Sequence, residues 1–224
     1  GQRVLGADHD WVCVYHSRLV QLYSETGQHE KIIMHAEKVL EIRRRTLGNS
    51  NAKTLDSMNL LGYYLQLQGK FSEAERYIRE SLEGYRETLG NEHEDTLVSI
   101  SNLGYVLQEQ GKLDQAEPYL QEALDGTRRI YGDQNLDTII SINNMGMLLN
   151  AQKRYVDAEP LLLESIETGM KILGTDHWRV PEAKSLLGES FAGQKRFDEA
   201  EPLLLVGFEE ILATIPDSRR ESKL

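Results

Sequence analysis

The sequence has almost none of the features that cross-link a fold or anchor it in a membrane. Cys13 is the one cysteine in 224 residues, so no internal disulfide can form and a reducing, cytoplasmic location is expected. No apolar run approaches the roughly 20 residues that span a bilayer, and the N-terminal residues lack the layout of a signal peptide. We therefore expect a soluble chain with no membrane partner.

Positive charge is also scarce. The chain has 25 Lys and Arg residues against 36 Asp and Glu residues, which gives a formal net charge of -11. A chain of this charge repels phosphate backbones and anionic lipid surfaces, so nucleic acid is not expected as a partner. The remaining composition, with 40% hydrophobic and 27% charged residues, is that of an ordinary folded protein.

The motifs of common catalytic and metal sites are missing as well. No glycine-rich phosphate loop, nucleophile elbow, CxxC pair or HExxH motif occurs. His9, His93 and His177 lie beside acidic residues, but they are 84 residues apart, which in stacked helices means on the order of 20 Å. We expect these histidines and acids to cap helices instead. No catalytic residue, metal site or cofactor is predicted, and an enzyme is disfavoured.

What the sequence does contain is a repeat with a period of 42 residues. Five glycines recur at this spacing without one insertion or deletion: Gly6, Gly48, Gly90, Gly132 and Gly174. Apolar residues within each unit recur at helical spacing, and no stretch alternates as a strand would. The predicted units are residues 6–47, 48–89, 90–131, 132–173 and 174–215. Residues 1–5 would end a preceding helix, and residues 216–224 would begin an incomplete sixth unit.

Glycine and proline hold fixed places in the repeat. A glycine in the first helix of four units costs roughly 0.5–1 kcal/mol relative to alanine, which tight packing against an alanine of the second helix can offset. These pairs are Gly62 with Ala74, Gly104 with Ala116, Gly146 with Ala158 and Gly188 with Ala200. Later glycines should end the first helix in a left-handed conformation, a position where lysine is less favourable. They are Gly27, Gly69 and Gly111, replaced by Lys153 and Lys195. Pro118, Pro160 and Pro202 should bend the second helix slightly without breaking it.

The Leu-Gly pair, the helix-ending Gly-Lys and the alanine that follows resemble the tetratricopeptide repeat. The period of 42, with "TLGNEHEDTL" between units and "QGKLDQAEPYL" opening the second helix, is similar to the kinesin-light-chain-type subclass and to bacterial arrays, some attached to serine/threonine kinases. The resemblance covers essentially the whole chain, as a single array over residues 1–224. It implies an all-α fold, a right-handed α-solenoid superhelix of helix-turn-helix units whose first helices line a concave groove.

Helical spacing indicates which side chains face this groove. The positions are counted from the residue before the repeated glycine, which is expected to be buried: Leu61, Leu103, Met145 or Leu187. Positions two before, two after and five after this residue share one face, and the position just before it borders that face. The first two rows are Ser17, Asn59, Ser101, Asn143 and Ser185, then Gln21, Tyr63, Tyr105, Met147 and Glu189. The third and the bordering row are Ser24, Gln66, Gln108, Asn150 and Ala192, then Arg18, Leu60, Asn102, Asn144 and Leu186. Of these twenty positions only Arg18 and Glu189 are charged, where the composition predicts about five.

A polar and nearly uncharged face suits an extended peptide, because amide side chains can donate to and accept from a peptide bond. The Asn143-Asn144 pair matches the Asn-Asn of light-chain-type helices, where the resemblance implies contact with bound peptide backbone. The candidate peptide-binding residues are Asn59, Tyr63, Ser101, Asn102, Tyr105, Gln108, Asn143, Asn144, Met147 and Asn150. Because Arg18 is the one cation on this face, a partner held by its terminal carboxylate is disfavoured.

Two further interpretations of the array stay open. The chain could be an assembly or regulatory scaffold region of a larger multidomain protein, such as a bacterial serine/threonine kinase. It would then act through its convex face or self-associate through uncapped ends. Alternatively, the amides of the first helices only solvate an unused surface. The favoured prediction is a non-catalytic module whose partner is a protein or a linear peptide.

Overall fold

The computed structural model of the chain describes residues 10–25, 28–174 and 177–214. Within these ranges it consists of ten α-helices and contains no strand, which confirms the predicted all-α class. The first helices are α1 (Asp10–Glu25), α3 (Ala52–Leu67), α5 (Glu94–Glu109), α7 (Leu136–Ala151) and α9 (Arg179–Gly193). The second helices are α2 (His29–Leu47), α4 (Phe71–Leu89), α6 (Leu113–Tyr131), α8 (Tyr155–Leu173) and α10 (Phe197–Thr214). The predicted segments 1–5 and 216–224 lie outside the described residues.

The helices form two compact units, Gly1–Lys112 with α1 to α5 and Leu113–Leu224 with α6 to α10. Within each unit every helix packs against its neighbours along the chain. First helices also meet each other: α7 packs against α9, and α3 touches α5 more lightly. The apolar core lies between the helices of each unit, where Met58, Leu61 and Ile78 are fully buried in the first. Packing of this kind, between neighbouring repeats alone, is typical of stacked repeat proteins.

The repeated glycine of the first helix lies where the two helices of a hairpin come closest. A methyl group added to Gly62 would lie 2.5 Å from Cγ1 of Ile78, a contact too short for real Cβ atoms. The equivalent pairs are Gly146 with Leu162 at 2.5 Å and Gly188 with Leu204 at 2.8 Å. The expected close approach is therefore confirmed at these glycines. The side chain that covers the glycine belongs to a large residue one turn beyond the alanine that the sequence suggested.

The ends of the first helices also follow the prediction. Gly69 and Gly111 have φ angles of 71° and 73°, and Lys153 and Lys195 adopt the same left-handed conformation with φ angles of 60° and 64°. Gly27 lies outside the described residues. The second helices continue through Pro118, Pro160 and Pro202 without a break.

A histidine or an asparagine caps the start of each described first helix after α1. Asn51 and Asn135 accept a hydrogen bond at Oδ1 from the backbone N–H two residues further on, at 3.1 and 2.7 Å. His93 and His177 do the same through Nδ1, at 3.3 and 3.4 Å. These four residues hold one position of the repeat. The capping role predicted for the linker histidines is confirmed for these two, and His9 lies outside the described residues.

Consecutive repeats are joined by hydrogen bonds to a glutamate early in the second helix. Glu75 accepts from Gln110 Nε2 at 3.0 Å and from Lys112 Nζ at 2.9 Å. Burial opposes ionisation of this carboxyl, yet hydrogen bonds from Lys112, Arg79 and Gln110 lower its pKa to about 2. The same arrangement recurs in the second unit, where Glu117 bonds to Gln152 and Arg154, and Glu159 to Gln194 and Arg196.

Candidate functional site

In the first unit, the predicted face of α3 and α5 combines amides and hydroxyls with exposed apolar surface. Leu60 and Tyr63 expose 43% and 42% of their surface. The side chains around them are half-buried: Asn59, Ser101, Asn102 and Tyr105. Asn102 Nδ2 donates to Asn59 Oδ1 at 3.3 Å, which joins α5 to α3. This bond leaves the NH2 group of Asn59 and the carbonyl oxygen of Asn102 unused by the described residues, so the face keeps both a donor and an acceptor.

Two glutamines of the first unit carry a further unused acceptor. Gln66 and Gln108 occupy the third row of the predicted face, and Gln108 exposes only 8% of its surface. The Oε1 atom of each is buried and accepts no hydrogen bond from the described residues. A buried acceptor without a partner costs about 1–3 kcal/mol, so any donor that reaches these atoms is favoured.

The second unit uses the equivalent amides differently, and Asn143 is the first example. Its exposed surface is 2%, although the spacing of α7 assigns it to the same row as Asn59. Asn143 Nδ2 donates to Glu182 Oε2 at 3.1 Å, and its Oδ1 accepts from Ser165 Oγ at 2.5 Å. The side chain therefore connects α7 to both α8 and α9. Its amide is occupied by these neighbours.

Asn150 is held in the same way two turns further along α7. It exposes 3% of its surface and occupies the row of Gln66 and Gln108. Its Nδ2 donates to the Leu186 carbonyl oxygen at 2.8 Å, and its Oδ1 accepts from Ser190 Oγ at 2.6 Å. Donor and acceptor are both satisfied from α9. The structure thus buries three of the ten predicted site residues, Gln108, Asn143 and Asn150, and of the candidates in α7 only Asn144 and Met147 stay half-exposed.

The structure also brings two further cations to Arg18, which helical spacing had already placed on the predicted face. A cavity of about 620 Å³ lies between α1, α2 and the start of α3, and its lining includes Arg18, Arg43 and Lys53 but no acidic residue. Arg43 donates to the Lys53 carbonyl oxygen at 2.8 Å and to Ser57 Oγ at 2.7 Å. Sequence spacing identified Arg18 alone, because the other two cations come from a second helix and from the next repeat. The cavity therefore offers positive charge in a chain that is acidic overall.

Two general properties of the described residues bear on chemistry at this surface. No group of three or more His, Cys, Asp and Glu side chains in this part of the chain could hold a metal ion. No helix within the same ranges is long and apolar enough to cross a membrane.

Several solved structures have a similar fold. The TPR-like repeats of a Podosopora anserina protein described as a kinesin light chain align with a TM-score of 0.74 at 20% identity, over 89% of this chain and 94% of that one. BtubC (BKLC) from P. vanneervenii aligns with a TM-score of 0.66 at 16% identity, over 93% and 94%. YrrB, described as a TPR protein with an unusual peptide-binding site, aligns with a TM-score of 0.53 at 18% identity, over 93% and 91%. At these identities the likeness concerns the fold alone.

The sequence itself matches a family. The tetratricopeptide repeat profile covers four overlapping stretches, residues 11–87, 53–129, 95–168 and 137–207. No curated protein matches the sequence. Because the four stretches run almost from one end of the chain to the other, the protein belongs to the tetratricopeptide repeat family and is an all-α repeat protein of the α-solenoid class.

Proposed function

We propose that this chain binds an extended peptide segment of a partner protein on the face of α3 and α5 in the first unit. The observation that carries the proposal is the pair Asn59 and Asn102, which keeps one unused amide donor and one unused acceptor beside exposed Leu60 and Tyr63. An extended backbone presents donors and acceptors in alternation, so a face that offers both can hold it without charge. Aromatic rings add apolar area at low entropic cost.

Tetratricopeptide proteins are in general protein-interaction modules and typically non-catalytic. The similar structures include YrrB, which is described as having a peptide-binding site, although its 18% identity transfers no residue to this chain. The proposed contact residues therefore rest on this protein's own side chains. They are Asn59, Tyr63, Ser101, Asn102, Tyr105 and Gln108, whose buried Oε1 atom accepts no hydrogen bond from the described residues.

The candidates of the second unit separate into two groups. Asn143 and Asn150 are proposed to hold α7 against its neighbours, because their amides are already bonded there. Asn144 and Met147 are half-exposed on the same helix and remain proposed peptide contacts. The alternative is a scaffold role through the second helices. It is favoured by exposed apolar side chains on α8 and α10.

The test is selection of binding peptides from a library of random 12-residue sequences, followed by titration of the selected peptides against variants. Asn102→Asp places a negative charge beside Asn59, and Tyr63→Ser removes the exposed ring. Each should weaken binding at least tenfold, which corresponds to about 1.4 kcal/mol. Asn91→Asp, at an exposed turn, is the matched control and should leave affinity unchanged. Peptides that bind both variants as tightly as the unaltered chain would exclude this face.

A further inference from the structure

Consecutive second helices are joined by an ion pair at a fixed position of the repeat. In the first unit Arg44 Nη2 lies 2.5 Å from Glu80 Oε2, and in the second unit Arg128 Nη2 lies 2.6 Å from Glu164 Oε2. The partners are 36 residues apart in both cases. One repeat after Arg128 and Glu164, the 42-residue step leads to Met170 and Val206. The last such position therefore carries two apolar side chains where the others carry a charge pair.

These apolar side chains are exposed and continue along α8. Met170 and Val206 expose 44% and 39% of their surface. Three more residues extend the surface: Val156 at 71%, Leu163 at 48% and Leu205 at 55% exposure. We call these five residues the outer patch. Its members on α8 recur every seven residues, so they lie on one side of the helix over about 21 Å.

The preceding second helix shows that the outer patch is a local feature and not a property of the repeat. The residues of α6 that correspond to Val156, Leu163 and Met170 are polar, namely Asp114, Gln121 and Arg128. A polar side chain is thus compatible with each of these positions. Exposed apolar clusters on a soluble protein mark interaction sites more often than isolated exposed residues do.

The two helices that carry the outer patch also carry acidic side chains. Four of these already pair with arginines, namely Asp157, Glu159, Glu164 and Glu199. Glu167, Asp198 and Glu201 are exposed and take part in none of the ion pairs found among the described residues. A partner for this surface therefore needs positive charge beside its apolar contact. A second copy of the chain would bring acid against acid and is disfavoured.

We propose that the outer patch binds an amphipathic helix that carries lysine or arginine along both edges of its apolar face. The seven-residue spacing of Val156, Leu163 and Met170 matches the repeat of apolar residues on such a helix, and Leu205 and Val206 on α10 provide the second side of the contact. Glu167, Asp198 and Glu201 pair with the basic edges of the partner. This surface lies on second helices, so the proposal stands independently of peptide binding on α3 and α5.

The probe is a synthetic 21-residue peptide with leucine at the a and d positions of three heptads and lysine at e and g. A second peptide with glutamate in place of lysine is its control. Fluorescence anisotropy with the whole chain should show binding of the lysine peptide, and binding of the glutamate peptide at least tenfold weaker. Equal affinity for the two peptides would overturn the charge requirement, and no binding of either would overturn the site.

The variant that tests the patch is Met170→Arg combined with Val206→Glu, which introduces the ion pair found at the equivalent positions. It leaves the net charge unchanged and should preserve the melting temperature. Its affinity for the lysine peptide should be at least tenfold lower. Met34→Gln, at a residue of α2 with 55% exposure, is the matched control and should have no effect. Light scattering tests whether a second copy of the chain binds the patch instead. If the unaltered chain is a dimer and the double variant is a monomer, the patch binds a second copy and the proposal is overturned.

Discussion

The two units place similar amides on their first helices and use them in different ways. In the second unit, Asn143 and Asn150 are buried. α9 satisfies the amide of Asn150 and the NH2 group of Asn143, and Ser165 of α8 donates to the Asn143 carbonyl. In the first unit, Asn59 is half-buried and bonded through its carbonyl alone, and the Oε1 atom of Gln66 has no partner among the described residues. The second unit therefore turns its amides into internal contacts, and the first leaves part of their capacity for another molecule.

The difference follows from two residues of the neighbouring first helix. Asn143 donates to Glu182, and Asn150 accepts from Ser190, both on α9. The repeat places Val98 and Val106 at the same two positions of α5. Valine offers neither an acceptor nor a donor, so α5 lacks the side chains through which Glu182 and Ser190 bind the amides of α7. Its bond to α3 comes instead from Asn102, which donates to the Asn59 carbonyl.

The largest effect is expected from removal of a buried amide in the second unit. Asn150→Ala should lower the free energy of unfolding by about 2–3 kcal/mol, because the Leu186 carbonyl and the Ser190 hydroxyl lose their partner inside the protein. Asn59→Ala in the first unit should cost less than about 1 kcal/mol, since its partner Asn102 is half-exposed and can bond to water. Urea denaturation of both variants measures the difference. Equal losses would contradict the contrast between the units.

A smaller effect, on peptide affinity, is expected when Val98 of the first unit is replaced by glutamate, the residue at the equivalent position of the second unit. Val98→Glu introduces the carboxylate that Glu182 supplies in α9, where it accepts from Asn143, the equivalent of Asn59. The selected peptides should then bind about tenfold more weakly, equivalent to about 1.4 kcal/mol, because the NH2 group of Asn59 would already donate to the new carboxylate. Val98→Leu, which adds no hydrogen-bond acceptor, is the control and should leave the affinity unchanged. If Val98→Glu also leaves it unchanged, the Asn59 amide does not contact the peptide.

Acid should weaken the first unit through Glu75. The pKa of this carboxyl is lowered to about 2 in the folded chain, below its ordinary value of 4.5, so its ionised form stabilises the fold at neutral pH. That stability is present above pH 4.5 and is lost as the pH falls from there towards 2. Glu75→Gln should remove on the order of 1 kcal/mol at pH 7 and much less at pH 3. Denaturation at the two pH values checks this, and an equal loss at both would show that ionisation is not involved.

The sequence was sufficient to predict the period, the helices and the local signals at their ends. Gly69, Gly111 and His93 behave as expected because a left-handed turn or a helix cap depends on residues close by in the chain. Helical spacing also selected the half-exposed Asn59 and Tyr63. It could not separate Asn59 from Asn143, since both have the same place on their own helix. Asn143 donates to Glu182 of the following repeat, where the first unit has Val98, so part of the difference comes from another repeat.

The smallest effects concern the left-handed residue that ends each first helix. The first unit has glycine at this position, as at Gly111, and the second has Lys153 and Lys195 with φ angles of 60° and 64°. A side chain in this conformation costs about 1–2 kcal/mol, and part of that is returned because glycine has more freedom in the unfolded chain. Lys153→Gly should therefore raise the free energy of unfolding by about 0.5 kcal/mol, and Gly111→Lys should lower it by a similar amount. Thermal melts of the pair decide the point: if Lys153→Gly destabilises the chain, interactions of the lysine side chain outweigh the backbone strain.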